Sequence, residues 1–300
     1  GIIAATGIML VVGAVSSGNV DNVRNQMFVG NSNLKIFENI IKVAIMTPFF
    51  FFGFDVIPQV AEEIKMPLKK LGKMMILSII MAVTFYVFIV FAVGLVMDNK
   101  GISKSMSETG LVTADAMARA FNSTNMAKVL IIGGLCGIVT SWNSFLIGGS
   151  RALYSMANSY MLPRKFGVLH KKHNTPVNAL LLIGSLSVIS PLFGRSMLIW
   201  IVDAGNFACC LAYCMVSLSF LILRKKERSM KRPYKVRNYK IVGTFAVILS
   251  GSMAAMYIIP GTNCTMIWQE WIIVGGWTLL GLILAYLSKK KYKKNFAQCH

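Results

Sequence analysis

Charged residues are scarce in this sequence, and acidic ones most of all. Only 14% of the 300 residues are charged, with 11 Asp and Glu against 31 Lys and Arg. A soluble globular domain carries about 25% charged residues. Because 55% of the residues are hydrophobic and the mean hydropathy is +0.63, the chain lacks the polar surface that would cover a globule in water. This composition excludes a soluble globular protein and predicts an integral membrane protein.

Signatures of catalysis and of metal binding are also missing. The sequence contains no HExxH, no GxSxG and no GxxxxGK[ST] pattern, which are typical of zinc proteases, serine hydrolases and nucleotide hydrolases. The six cysteines include no CxxC pair. We therefore expect no catalytic residues, no enzymatic activity, no metal site and no organic cofactor.

Long apolar runs dominate what is present. A helix needs about 20 apolar residues to cross a bilayer. The runs predict seven complete spans and one partial span, at 1–17 (partial), 38–61, 74–97, 127–152, 176–192, 197–223, 240–260 and 268–288. Since Gly1 lies inside an apolar run with no charged flank or cleavage site, we expect residues 1–300 to be a single transmembrane domain and a fragment.

Basic residues concentrate at every second connection between these spans. Lys and Arg cluster in 62–73, 161–176, 224–240 and 289–294, whereas the connection 98–126 mixes both signs. Cytoplasmic loops retain an excess of Lys and Arg, so this alternation predicts a cytoplasmic C-terminus. The net charge of +20 then indicates attraction to anionic lipid head groups. The lipid bilayer is the expected partner, and nucleic acid is not.

One span carries a break and a carboxylate. Residues 47–67 read TPFFFFGFDVIPQVAEEIKMP, with Gly53 and Pro58 on either side of Asp55. A carboxylate at mid-membrane costs about 2.5 to 3.5 kcal/mol, which makes Asp55 a candidate functional residue. Glycine and proline free backbone groups that can meet a ligand, as in interrupted transporter helices. The alternative interpretation is a proline kink with a buried, hydrogen-bonded Asp.

Small residues lie along the 127–152 span, at Gly133, Gly134, Gly137, Gly148, Gly149 and Ser150. Such residues allow close helix approach in membranes, so they predict a packed face. Ser141, Asn143 and Ser144 on the same span are candidates for ion or substrate contact, or for hydrogen bonding between helices. Among the acidic residues, only Asp55 and Asp203 are expected inside the membrane.

Three motifs carry a resemblance to a known family. They are FFGFDVIPQVAEEIKMP at 51–67, SWNSFLIGGSRALYSMANSYMLPRKF at 141–166 with TPVNALLL at 175–182, and RPYKV at 232–236. In order and spacing the chain resembles the amino acid permeases of the amino acid, polyamine and organocation transporter superfamily. The resemblance covers essentially the whole chain.

The resemblance implies an all-α membrane fold of two inverted five-helix repeats followed by two extra helices. By that alignment the first four helices are missing, and the chain runs from within the fifth helix to the twelfth. In the family, substrate lies between the unwound first and sixth helices. The 38–61 span corresponds to the sixth, so half of such a site is expected here.

Site residues follow from the same resemblance. Backbone carbonyls around Phe51, Phe52, Gly53 and Phe54 are expected to meet the substrate amine, with Asp55 sensing protons or fixing the unwound segment. Phe49 is the candidate aromatic gate, or an ordinary packing residue.

Gating and coupling residues are also implied. Glu62 and Glu63 match the family's inner gate or form helix-end salt bridges, and Asp203 has a gating or structural role. Ser141 and Ser144 match hydroxyls that bind sodium in some relatives, whereas proton-coupled relatives use a lysine on the fifth helix. The coupling ion, proton or sodium, therefore stays open.

The expected function is secondary active transport of amino acids or related amines by alternating access in the plasma membrane. Two alternatives remain. One is exchange of one amine for another without a driving ion. The other is a membrane sensor or non-transporting subunit that keeps the permease fold. A channel is disfavoured, because the spans contain no ring of charge and no filter-like motif.

Overall fold

The structure is a computed structural model that describes residues 1–26, 32–51, 53–59, 61, 67–227, 229–230, 232, 234–261 and 265–292. Within these residues the chain is helical and contains no strand, so the all-α class is as predicted. The α-helices are α1 (Ile2–Ser17), α2 (Val20–Gln26), α3 (Asn33–Phe51), α4 (Val56–Gln59), α5 (Leu68–Val96), α6 (Asn99–Glu108), α7 (Val112–Ala120), α8 (Thr124–Asn158), α9 (Val177–Ile189), α10 (Arg195–Lys226), α11 (Tyr239–Ile258) and α12 (Trp268–Lys291). Short 3-10 helices at Arg164–Gly167 and Ser190–Phe193 precede α9 and α10.

Five of the described helices are long and apolar enough to cross a bilayer. They comprise Lys69–Val96, Thr124–Asn158, Ser196–Lys226, Tyr239–Ile258 and Trp268–Lys291. Large apolar side chains on these helices point outward: Val216 and Leu282 are 67% and 66% exposed. Extended apolar surface of this kind marks contact with lipid. The chain is therefore a multi-pass membrane protein.

The chain folds as two compact units. The first unit comprises Gly1–Ile40 and Met74–Ser144, and the second comprises Ile41–Lys73 and Phe145–His300. Because the boundaries fall inside α3, α5 and α8, each of these helices contributes to both units.

In the first unit, α1 packs through its small and apolar face. Leu10 and Ala14 are fully buried and join a cluster that includes Ala92 of α5 and Met117 of α7. Gly13 lies so close to the Phe121 ring that an added methyl group would overlap it. This close packing holds α1 against its neighbours in the first unit.

The 98–126 segment is more than a connection, since it contains α6 and α7. Asp98 caps α6, with its Oδ1 accepting a hydrogen bond from Gly101 N at 2.9 Å. Asp115 on α7 accepts hydrogen bonds from the hydroxyls of Ser105 and Thr109. These two bonds, together with the charge of Arg119, hold the pKa of Asp115 below its ordinary value against the opposing effect of burial. One carboxylate thus ties the two helices together.

The second unit is organised around α10, which packs along α11 and against α12. Its core contains Phe207 and Cys210 of α10 with Ala254 and Tyr257 of α11. The α10 to α11 approach is close, because a methyl group at Gly243 would overlap the Leu221 side chain. Small residues at the crossing point thus allow the two helices to pack along their length.

Polar side chains fix two helix ends in this unit. At the end of α10, the Arg232 guanidinium donates to the carbonyls of Leu223 at 3.2 Å and Glu227 at 2.6 Å. Near the end of α12, the buried Ser288 Oγ lies 2.7 Å from Tyr160 O and 3.1 Å from Leu162 O. Ser288 therefore links α12 to the segment that follows α8.

Candidate functional site

The predicted interruption near Gly53 is present in the structure. Helix α3 ends at Phe51, Gly53 to Asp55 form a turn, and α4 begins at Val56. Gly53 has a φ of +118°, a backbone conformation that side chains with a Cβ rarely adopt. The helix therefore breaks where glycine permits it to break.

Asp55 stabilises this turn directly. Its Oδ1 accepts a hydrogen bond from Gly53 N at 3.0 Å, which satisfies an amide that the interrupted helix leaves without a helical partner. Short-range bonds use two nearby carbonyls: Val56 N donates to Gly53 O at 3.2 Å, and Ile57 N donates to Phe54 O at 3.3 Å. Each of these carbonyl oxygens keeps a second lone pair that can accept from a ligand.

Helix α10 forms one wall of the turn. The rings of Phe54 and Tyr213 contact each other with centroids 5.8 Å apart and planes tilted by 34°. Cys209 and Tyr213, one helical turn apart on α10, both lie within electrostatic range of the Asp55 carboxylate. A half-buried carboxylate beside two aromatic rings has the chemistry to hold a cationic amine.

Helix α8 approaches the other side of the turn. A methyl group at Gly148 would come within 2.6 Å of Gln59 Oε1 and 2.8 Å of a Val56 methyl on α4. At Gly149 the nearest atom would be an Ile183 methyl at 3.0 Å. The packed face predicted for this helix is thus confirmed at both glycines. In the first unit, Gly133 and Gly137 meet α1 in the same way, whereas Gly134 has open space around it.

The polar candidates on α8 lie in the first unit. Ser141 and Thr140 line a cavity of about 370 Å³ together with Gly1, Ile2, Ile3, Cys136 and Gly137. Ser144 Oγ donates to Thr140 O at 3.1 Å, and Asn143 is exposed. Thr140 and Ser141 of α8 therefore lie close to residues 1–3.

Asp203 lies on α10 and has a partner that the sequence analysis missed. Its carboxyl group lies within interaction range of the carboxyl group of Glu270 on α12. Glu270 is 6% exposed and lies in the first turn of a helix that is long and apolar enough to cross a membrane. Glu270 Oε2 accepts from Ile267 N at 3.0 Å, so the carboxylate also caps α12. The sequence signal is a Glu three residues after the N-cap position, a pattern typical of helix caps.

Several predicted residues cannot be compared with the structure. Phe52, Glu62 and Glu63 lie outside the described residues, as does the side chain of Phe49, a residue of α3. Phe51 is the last residue of α3 and is partly buried. The described part of the site therefore consists of Phe51, Gly53, Phe54 and Asp55, with Cys209 and Tyr213 of α10.

Comparison with known proteins supports the resemblance inferred from the motifs. A family model described as amino acid permease matches residues 1–283. The chain is 24% identical over 259 residues to a branched-chain amino acid permease of Bacillus subtilis, covering 86% of this chain and 52% of that protein. It is 25% identical over 260 residues to a methylthioribose transporter of the same bacterium, covering 85% and 52%.

A histidine permease of Lactococcus lactis is 21% identical over 299 residues, which cover 96% of this chain and 62% of that protein. The chain thus spans about half the length of the first two relatives and somewhat more of the third.

Proposed function

The chain belongs to the amino acid permease family, and from this we propose that the protein transports amino acids or related amines across the membrane by alternating access. The observation that carries the proposal is the break at Gly53, with its positive φ and the bond from its amide to Asp55. An interrupted membrane helix exposes backbone polar groups, which is tolerated where they line a cavity or meet a ligand. No enzymatic step is required.

The substrate amine is assigned to the turn between α3 and α4. Backbone carbonyls of Phe51, Phe52, Gly53 and Phe54 are its proposed acceptors, and Asp55 supplies the negative charge. The contact between Phe54 and Tyr213 supports an apolar wall on one side. Phe49, on the α3 side of the break, is the proposed gate. Relatives named for branched-chain amino acids, histidine and methylthioribose indicate that solute selectivity varies within this framework.

Ion coupling is assigned to α8. The hydroxyl group of Ser141 supports this role, because hydroxyl oxygens are ligands that a hard cation such as sodium accepts. Ser144 and Asn143 are the neighbouring candidates. Glu62, Glu63 and Asp203 are proposed to act in gating. The proposed fold is a five-plus-five inverted repeat without its first four helices and with two additional C-terminal helices, in the plasma membrane and with a cytoplasmic C-terminus.

Flux measurements test the proposal. The complete protein is reconstituted in liposomes and presented with radiolabelled amino acids, with and without imposed proton or sodium gradients; protein-free liposomes are the control. Accumulation that collapses with one gradient supports coupled transport and identifies the ion. Uptake that requires amino acid inside the vesicle indicates exchange. Binding without flux by folded protein contradicts transport and favours the sensor.

A further inference from the structure

Arg224, in the last turn of α10, packs its guanidinium group against two aromatic rings. Its Cζ lies 5.5 Å from the centroid of the Phe220 ring on the same helix. The same atom lies 5.3 Å from the centroid of the Tyr239 ring at the start of α11. Contacts of this kind stabilise a cation and restrict the orientation of its planar group. The two rings therefore hold the Arg224 charge in place where α10 ends and α11 begins.

One donor of this guanidinium group lacks an acceptor. The Nε of Arg224 is buried and has no hydrogen-bond partner among the described residues. The carbonyls at the end of α10 are used by Arg232, which donates to Leu223 O and Glu227 O. A buried N–H on a charged group is costly when it has no acceptor. Because Arg224 as a whole is partly exposed, an anion can approach it from the surface and supply that acceptor.

Two basic segments of the second unit meet at this end of α10. A methyl group at Gly72 of α5 would lie 3.2 Å from the Tyr234 ring, so the first turns of α5 pack on the connection between α10 and α11. The segments 67–73 and 224–240 contain one acidic residue, Glu227. Their positive charge is therefore largely uncompensated within the two segments. The exposed basic residues include Lys69, Lys70, Lys73, Lys225, Lys235 and Arg237.

The position of this basic surface identifies the kind of anion that fits it. Helices α5 and α11 begin here and α10 ends here, and all three are long and apolar enough to cross a bilayer. The ends of membrane helices lie at the level of the lipid head groups, where Tyr, Lys and Arg are enriched. Basic pockets between such helices bind anionic head groups. A phosphodiester in the adjacent leaflet is thus the acceptor closest to Arg224.

We propose that Arg224 binds the phosphate of one anionic phospholipid, and that the basic residues of 67–73 and 224–240 strengthen this binding. The net charge alone predicts diffuse attraction, which would act on every basic segment alike. The Arg224 site is specific, because its guanidinium is fixed by two rings and lacks an acceptor from the protein. The bound lipid links α5 to the hairpin of α10 and α11. The inference is independent of the proposed transport function.

Lipid titration of the complete protein in detergent tests the site. Dioctanoylphosphatidylglycerol is the anionic probe, and dioctanoylphosphatidylcholine is the control lipid without net charge. Wild-type protein should bind the anionic lipid more tightly than the control lipid. Arg224→Gln should weaken binding of the anionic lipid by about tenfold or more, as expected for the loss of a hydrogen bond to a charged group.

Arg164→Gln is the matched control variant. Arg164 carries the same charge and also lies over a tyrosine ring, that of Tyr160, but it is exposed. This variant should bind the anionic lipid almost as tightly as wild type does. Equal weakening in the two variants would show diffuse attraction by net charge and overturn the proposal, as would equal binding of the two lipids by wild-type protein.

Inorganic phosphate separates a lipid site from a site for free anions. Phosphate has no acyl chains to pack beside the helices, so it should displace the anionic lipid only weakly. Phosphate that binds as tightly as the lipid overturns the assignment to a lipid.

A measurement on wild-type protein replaces the variant if Arg224→Gln fails to fold. Phosphatidylglycerol with a photoreactive head group is crosslinked to the protein in vesicles, and mass spectrometry locates the modified residues. Crosslinks concentrated in 67–73 and 224–240 support the site. Crosslinks spread evenly over all basic segments, or absent from these two, contradict it.

Discussion

The amide of Gly53 and the carboxylate of Asp55 are joined by a hydrogen bond of 3.0 Å across the break between α3 and α4. Gly53, which permits the break, and Asp55, which supplies a negative charge beside it, are therefore directly linked. Because the bond uses only Oδ1, the second carboxylate oxygen remains available to other partners. Structural and functional effects at Asp55 can consequently be separated by the choice of substitution.

Asp55→Asn should leave the turn intact, because an amide Oδ1 still accepts from Gly53 N. Asp55→Ala removes the acceptor and should lower the free energy of unfolding by about 1 to 2 kcal/mol. We expect Asn to flatten the pH dependence of amino acid uptake while insertion and thermal stability stay close to wild type. Uptake at a series of pH values, with unfolding temperatures alongside, measures both. A wild-type pH profile in Asp55→Asn would remove this charge from coupling.

Gly53→Ala tests the backbone conformation alone, since the added methyl group would meet no atom within 4 Å. Because Gly53 has a φ of +118°, the substitution should lower the free energy of unfolding by on the order of 1 to 3 kcal/mol and weaken substrate binding. Gly205→Ala on α10 is the matched control, because its methyl group also has open space and its backbone is helical. That control should be neutral or stabilising by up to about 1 kcal/mol. Equal behaviour of the two variants would mean that the helix is unbroken at Gly53.

Ser288→Ala should destabilise the second unit. The substitution removes the hydroxyl that donates to Tyr160 O and Leu162 O, and Ser288 is only 2% exposed. We expect the free energy of unfolding to fall by about 1 to 3 kcal/mol. Ser252→Ala is the control, because its hydroxyl donates to Leu249 O of its own helix and is exposed. Thermal unfolding in detergent measures the difference. Equal unfolding temperatures for the two variants would contradict a linking role for Ser288.

Asp115 makes the stability of the first unit depend on pH in the acidic range. Its pKa is lowered in the folded state, chiefly by the Ser105 and Thr109 hydroxyls, so its contribution to stability is present above the unfolded value of about 3.9. This contribution is lost as the pH falls through the lower folded pKa. Ser105→Ala should therefore reduce stability at neutral pH and by less at strongly acidic pH. Unfolding temperatures at several pH values test this, and a loss that is independent of pH would exclude the carboxylate as the cause.

Local signals explain what could be predicted from the sequence. Glycine beside a carboxylate in an apolar run predicted the break at Gly53, and the small residues of α8 predicted its close contacts at Gly148 and Gly149. Both patterns depend on the properties of the residue itself, namely freedom at positive φ or the lack of a large side chain.

Tertiary contacts explain what could not be predicted. The approach of Asp203 to Glu270 brings together residues 67 positions apart, and it depends on how α10 and α12 pack rather than on either local sequence. The tie between α6 and α7 is similar, since it requires a chain reversal that brings Asp115 back to the Ser105 hydroxyl.

The close fit of α10 and α11 also bears on how the protein is made. These helices are consecutive, and the Arg232 side chain between them already binds carbonyls at the end of α10. A hairpin of neighbouring helices closes only a short loop, so it can form during synthesis, before α12 has left the ribosome. A bulky residue in place of Gly243 would then hinder the packing of α10 and α11 while the chain is still being synthesised. Its effect would include a lower yield of inserted protein.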